Sequence, residues 1–148
     1  MKEGETIYLD TSALLPLYRG EESSNSIQAL LSMSTLPIFI SSLTKVEFYS
    51  ALSRWVRMGE ITEVHAALIG STFESHITAG FFTVRRITTS HYKQAERWLA
   101  ARRTALRTLD ALHLSCSQSL GTELVTLDKT MRQSADLLGI VIRRVDTT

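Results

Sequence analysis

The chain has 148 residues, so a single domain spanning 1–148 is expected, long enough to bury a core without disulfide or metal staples. A hydrophobic fraction of 44%, a mean hydropathy of +0.04 and a net charge of +1 are ordinary for a globular protein. No apolar run approaches the roughly 18 residues of a membrane span, the mixed-charge start Met1-Lys2-Glu3-Gly4-Glu5 is no signal peptide, and the single cysteine, Cys116, excludes an internal disulfide. A soluble protein of the reducing cytoplasm is the expectation.

Residues 6–9 read as a first strand, and Asp10 ends it within "TIYLDTSALL". An unpaired buried carboxylate costs several kcal/mol. Asp10 therefore either caps the next helix or holds something positive. "ALLPLYRG" is a short helix, with Pro16 tolerable only near its start. Residues 22–34 form a second helix and "PIFIS", 37–41, a second strand. Helices follow over 44–58 and 61–79, stopped by Gly59 and Gly80. "FFTVRRI", 81–87, is a third strand. Helices cover 90–103 and 109–120, the latter ending at Gly121. "ELVTL", 123–127, is a fourth strand, 129–138 a last helix closed by Gly139, and "IVIRRV", 140–145, a fifth strand. This alternation indicates an α/β fold with a mainly parallel sheet. Right-handed crossovers then put every strand C-terminus on one edge, where ligands of such folds bind.

Four acids fall at that edge. Asp10 and Asp128 share one pattern: a short apolar or β-branched run, then Asp, then a helix. Glu47 in "SLTKVEFYSAL" and Asp110 in "LRTLDALHLS" read as first-turn acids. Each has a bland explanation. First-turn acids complement the helix dipole by about 0.3–1 kcal/mol, Thr44 and Glu47 fit a capping box, and Asp10 and Asp128 fit helix caps. The conjunction argues otherwise, because apolar residues flank each acid: Leu9 and Leu14, Val46 and Phe48, Leu109 and Leu112, Leu127 and Met131. Converging carboxylates repel, at about 4 kcal/mol for a pair about 4 Å apart at an effective dielectric of 20. A hard divalent cation removes that conflict, and carboxylates with water suit Mg²⁺ or Mn²⁺. No Cys/His spacing suggests zinc.

Twelve of the sixteen basic residues are arginine, suited to bidentate contact with phosphate. "RWLAARRTALR", 97–107, holds four arginines and no acid, and Arg85-Arg86 and Arg143-Arg144 are further basic pairs. From charge alone, a solvated helix face explains them equally well.

"YLDTSALLPLY", "TKVEFYSAL", "LRTLDALHLS" and "LVTLDKTMRQSADLLGI" together resemble the PIN domain and, within it, the VapC-type toxins of toxin–antitoxin pairs. The motifs occur in the family's order across 7–140; only Ser42-Leu43-Thr44-Lys45 before Glu47 is a loose match. The resemblance implies a three-layer α/β/α sandwich whose five-stranded sheet has the order 3-2-1-4-5. It implies a Mg²⁺- or Mn²⁺-dependent endoribonuclease that leaves a 5′-phosphate and a 3′-hydroxyl. Asp10, Glu47, Asp110 and Asp128 map onto the family's catalytic and metal-binding acids, with Asp128 at its most variable position. Ser12 and Thr126 map onto supporting hydroxyls. A small VapB-type antitoxin whose arm covers the groove, and a homodimer, are the implied partners. Phe48, Leu52 and Trp55 suit a dimer face or the core.

Setting the four acids aside leaves sixteen basic residues against eleven acidic ones. A basic rim around an acidic pit would capture RNA phosphates, with Arg102, Arg103 and Arg107 as candidates. His113, three residues after Asp110, reads as a packed histidine rather than a metal ligand, and Cys116 as a small core residue. Trp55 and Trp98 read as packing rather than base-stacking residues. Two rival functions stand beside the nuclease. A haloacid-dehalogenase-type phosphohydrolase needs an acid two residues after Asp10, where Ser12 stands. A non-catalytic module binding RNA or protein needs no metal-dependent turnover.

Overall fold

The computed structural model describes residues 6–19, 29, 32 and 37–145. The helix expected over 22–34 lies outside the described residues, apart from Ala29 and Ser32.

β1 (Ile7–Leu9) is buried at every residue, as a central parallel strand covered on both faces requires. Asp10 follows it and caps α1 (Thr11–Leu14). Pro16 opens α2 (Pro16–Arg19), the helical position where a missing amide hydrogen costs nothing. β2 (Ile38–Ser41) runs into α3 (Ser42–Arg57), and α4 (Glu63–Thr78) follows. β3 (Thr83–Arg85) leads to the antiparallel pair α5 (Thr89–Ala101) and α6 (Thr108–Leu120). Gly121, at φ 69°, ends α6 in a left-handed turn and starts the chain back into β4 (Glu123–Val125). Asp128 then caps α7 (Lys129–Leu137).

The sheet has four parallel strands in the order β3-β2-β1-β4. The expected fifth strand over 140–145 is reduced to one bridge, Ile142 against Leu124. The Leu124 amide donates to Val141 O and the Arg143 amide to Leu124 O, so this segment lies at the fifth position without extending into a ladder. Val141 is exposed, so its side chain adds no burial to hold the run in the sheet.

Side-chain alternation along β1 splits the core. Ile7 and Leu9 join Ile40, Phe48, Phe73 and Val125 in one cluster. Tyr8 joins Leu112, Leu114, Leu124 and Met131 in the other. The result is the α/β/α sandwich. Phe48, Leu52 and Trp55 belong to the first cluster and are core, not a dimer face. Trp98 packs against the second cluster, and Cys116 is buried within it. Strand order reverses direction at β1, between β2 and β4, which makes the C-terminal ends of β1 and β4 the switch point.

Candidate active site

Asp10 continues β1 by donating its amide to Val125 O at 3.2 Å. Its carboxylate, on a residue only 3% exposed, accepts three hydrogen bonds. Oδ1 takes the Ser12 hydroxyl at 2.6 Å and the Ala13 amide at 3.1 Å, and Oδ2 takes the Thr126 hydroxyl. Burial still prevails, and the carboxyl is pushed above its ordinary value, against the lowering effects of His113, Ser12, Thr126 and the Ala13 amide. Asp10 is thus at once the N-cap of α1 and a buried acid at the switch point.

Ser12 and Thr126 stitch the two strand ends together. Ser12 Oγ accepts from the Leu127 amide at 2.9 Å and lies 3.2 Å from Thr126 Oγ1, which accepts from the Asp128 amide at 3.1 Å. Half-buried Asp128 spends Oδ1 on the Met131 amide at 3.0 Å, capping α7. Asp110, in the first turn of α6, is also half-buried. Burial and then the charge of Asp128 push its carboxyl up, while Arg107 and His113 pull it down. Asp110 and Asp128 therefore share one negative field.

Glu47 departs from the sequence expectation. β2 stops at Ser41, which becomes the N-cap, and the capping box pairs Ser41 with Thr44 rather than Thr44 with Glu47. Glu47 falls in the second turn of α3, and its carboxylate turns inward. Oε1 accepts from Thr11 Oγ1 at 2.6 Å and from His113 Nε2 at 2.5 Å. Burial raises the Glu47 carboxyl, but the hydrogen bond and charge of His113, together with Thr11, outweigh it and hold the group below its ordinary value. The flanking Val46 is exposed, so the apolar setting expected around Glu47 is one-sided.

Sequence reasoning missed two members of this site. Thr11 had one signal, its place directly after Asp10. His113 had only its spacing from Asp110, yet it acts on Asp10, Glu47 and Asp110 alike. Its Nδ1 meets the Tyr8 phenol at 2.7 Å, and that phenol donates to Ser41 Oγ at 2.8 Å. Burial pushes the Tyr8 phenol well up, so it stays protonated.

The basic candidates lie on the connection between α5 and α6. Arg102 caps α5 in a left-handed conformation, φ 53°, and Arg103 follows it; both are exposed. Arg107 is the N-cap residue of α6, with Nε 3.9 Å from Asp110 Oδ2. A cavity of about 620 Å³ between α3 and α4, lined by Tyr49, Leu52, Val56, Gly70 and Glu74, contains none of the four acids. Chemistry, not concavity, locates this site.

The donor set fits a hard divalent ion. No three His, Cys, Asp or Glu side chains among the described residues stand close enough to enclose a metal. Mg²⁺ does not need enclosure, since it keeps several waters and takes one or two carboxylates. Glu47 Oε2 carries no hydrogen bond among the described residues, Asp10 has accepted three of about four possible, and the charge of Asp128 acts on Asp110.

Residues 7–137 match the PIN domain family. The chain is 32% identical to Ribonuclease VapC35 of Mycobacterium tuberculosis, in an alignment covering 92% of this chain and 94% of the relative. Its fold is similar to that of VapC20 of Mycobacterium tuberculosis, described as a Sarcin-Ricin loop cleaving toxin, with a TM-score of 0.70 and 18% identity over 93% of this chain and 98% of that one. It is also similar to a chain of the DNA-bound VapBC of Salmonella typhimurium, with a TM-score of 0.69 and 18% identity over 93% and 96% of the two chains. With a family match across most of its length and a relative aligned nearly end to end, the chain belongs to the PIN domain family.

Proposed function

We propose that this chain is a single-domain, Mg²⁺- or Mn²⁺-dependent endoribonuclease, the toxin of a type II toxin–antitoxin pair. The observation that carries the reading is the buried, triply hydrogen-bonded Asp10 carboxylate, tied through Ser12 and Thr126 to the chain that leads into Asp128 at the switch point. Such an arrangement costs stability unless positive charge enters it. The near full-length relative named as a ribonuclease supports the same chemistry.

Asp10, Glu47, Asp110 and Asp128 are the residues that hold the metal. When bound, the ion supplies positive charge that neutralises the phosphate and acidifies water. Asp110 or Asp128 orients the attacking water and takes the proton it loses. The water oxygen bonds to phosphorus as the bond from phosphorus to the 3′ oxygen breaks. The 3′ oxygen takes a proton and leaves as a hydroxyl, and the phosphate stays on the 5′ side. Ser12 and Thr126 hold the Asp10 carboxylate in place. Arg102, Arg103 and Arg107 bind flanking phosphates.

The partner we assign is a VapB-type antitoxin, with the toxin itself a homodimer; solved relatives include a VapBC assembly. No helix among the described residues is long and apolar enough to cross a membrane, and the lone Cys116 is a buried free thiol. We assign the cytoplasm as its compartment.

The test is cleavage of end-labelled single-stranded RNA by purified, partner-free protein with Mn²⁺, with EDTA, and with Asp10→Asn. Cutting that needs both metal and Asp10 and leaves a 5′-phosphate supports the reading. Cutting that survives EDTA and the substitution refutes it. RNA binding without cutting of any RNA pool favours a non-catalytic module.

A further inference from the structure

The proposed metal-binding reading leaves one buried group without a task. His113 is 2% exposed, yet both ring nitrogens are engaged: Nε2 with Glu47 Oε1 at 2.5 Å and Nδ1 with the Tyr8 phenol at 2.7 Å. Tyr8 is fully buried and donates to Ser41 Oγ at 2.8 Å. Ser41 is in turn locked by the α3 capping box. The ring also packs edge-on against Tyr8, with centroids 5.8 Å apart and planes at 60°. The buried ring has both nitrogens satisfied, and one of its two partners is an acid of the candidate site.

The distribution of bonds on Glu47 matters more. Its two donors, Thr11 and His113, both fall on Oε1. A carboxylate on a helix side chain rotates freely about its last torsion unless something fixes it. Two donors converging on one oxygen from different elements, α1 and α6, set that rotation. Oε2 is thereby kept free of protein donors among the described residues.

We infer that Tyr8 and His113 form a positioning relay that, with Thr11, fixes the Glu47 carboxylate so that Oε2 stays available to the divalent cation. Neither residue is a metal ligand. The relay runs from Ser41 at the end of β2, through Tyr8 in β1 and His113 in α6, to Glu47 in α3. It ties four elements to one carboxylate oxygen. Partners that orient a ligating carboxylate typically change metal affinity about 10–100-fold when removed. This inference rests on the acids being metal ligands.

The test is direct titration of Mn²⁺ into the protein by calorimetry, without RNA. Compared with wild type are His113→Leu, His113→Gln, Tyr8→Phe and, as a control, Leu114→Ala. Leu114 is fully buried one residue further along α6, so its truncation loosens the same helix without touching the relay. The expected result is an Mn²⁺ Kd raised about 10–100-fold in His113→Leu. His113→Gln, which keeps a donor toward Glu47, recovers most of that loss. Tyr8→Phe falls between, and Leu114→Ala binds as wild type does. Equal Kd values in wild type and His113→Leu overturn the relay and leave the metal site standing. Equal weakening in Leu114→Ala and His113→Leu also overturns it, as a general packing effect. Wild type that binds no Mn²⁺ overturns the metal reading and the relay with it. Should His113→Leu fail to fold, ¹⁵N-histidine spectra of the wild type decide. The Nε2–H signal assigned by its loss in His113→Gln is expected to move on addition of Mg²⁺ and in Glu47→Gln; a signal indifferent to both overturns the relay.

Discussion

The Thr126 hydroxyl donates to Oδ2 of Asp10 and so joins the residue after β4 to the residue after β1. The bond spans the switch point of the sheet. It is one of three donors that together fail to offset the burial of this carboxylate, whose pKa stays raised. The fold therefore carries a charge that it does not fully stabilise, as sites built for a ligand commonly do.

Asp10→Asn removes that charge and keeps the shape. The asparagine oxygen can still accept from the Ala13 amide and Ser12, and its amide can donate to Thr126 Oγ1. RNA cleavage is expected to disappear. The melting temperature in EDTA is expected to rise by a few degrees, given that about 1 kcal/mol moves Tm by roughly 2–4 °C at this size. A fall in Tm would mean that the ionised cap stabilises the fold and that the acid is structural first.

Thr126→Val tests the opposite side of the same bond. It strips a donor from buried Asp10 and an acceptor from the Asp128 amide. Unsatisfied buried groups cost about 1–3 kcal/mol each. Two such groups, at about 2–4 °C per kcal/mol, put the expected Tm loss in EDTA at roughly 4–24 °C. In the Asp10→Asn background the loss should be smaller, because the carboxylate that needed the donor is gone. Additive losses in this double-mutant cycle would show that Thr126 stabilises the strand ends without reference to Asp10.

The pH response follows from the opposed shifts. The carboxyl of Asp10, and that of Asp110 beside Asp128, is raised above its ordinary 3.8. A raised carboxyl binds its proton more tightly when folded. Metal-free stability from these two groups is therefore fullest below 3.8, declines as pH climbs through their raised values, and stays lower above them. Glu47, held below its ordinary 4.5, does the reverse: its contribution is present above 4.5 and is lost as pH falls through the lowered value. A cation that relieves the two raised acids should thus raise Tm more at pH 8 than at pH 5. Thermal melts with and without 5–10 mM Mg²⁺, or about that of Mn²⁺, at both pH values would show it. An increment that shrinks with pH would place the ion away from Asp10 and Asp110.

The placement of Asp10 and Asp128 in the fold was legible because buried parallel strands leave plain marks. The runs before Asp10 and Asp128 are short and apolar or β-branched, and each hands over to a helix, so strand, acid and helix start are read together. Asp110 was legible from its place at the start of α6. Glu47 was expected in the first turn of its helix, where the structure does not put it. The capping box belongs to Ser41 and Thr44 because α3 starts at Ser42, two residues before the expected 44, and that shift puts Glu47 in the second turn with its carboxylate turned inward. His113 and Glu47 are 66 positions apart, and no local periodicity encodes their contact. The segment 140–145 has strand composition, but pairing depends on length of contact, and only Ile142 bridges to the sheet. Trp55 closes the core at 9% exposure, with the Arg19 guanidinium 4.3 Å from its ring centroid, a packing role that hydrophobicity alone suggested.

The arginines of the α5–α6 connection make the last prediction. Arg102 and Arg103 are exposed, and Arg107 approaches Asp110 at 3.9 Å with its side chain 86% exposed. An ion pair so solvated is worth little to the fold. Its positive charge next to the acids is better placed to meet phosphate. In the inactive Asp10→Asn background, replacing all three with glutamine should weaken single-stranded RNA binding at low salt. Each phosphate contact on a single strand contributes about 0.7 to the slope of log K against log salt, so losing three should flatten that slope by about 2. Measuring Kd between about 50 and 200 mM salt, the range over which counterion release is large, gives the slope directly. Stability should barely change, because all three side chains are exposed, Arg102 caps α5 through its backbone amide and Arg107 makes no side-chain cap hydrogen bond. A weaker Kd with an unchanged slope would mean that these side chains contact bases or shape the loop. An unchanged Kd would move the RNA track elsewhere, with Arg85 and Arg86 at the end of β3 the next pair to replace.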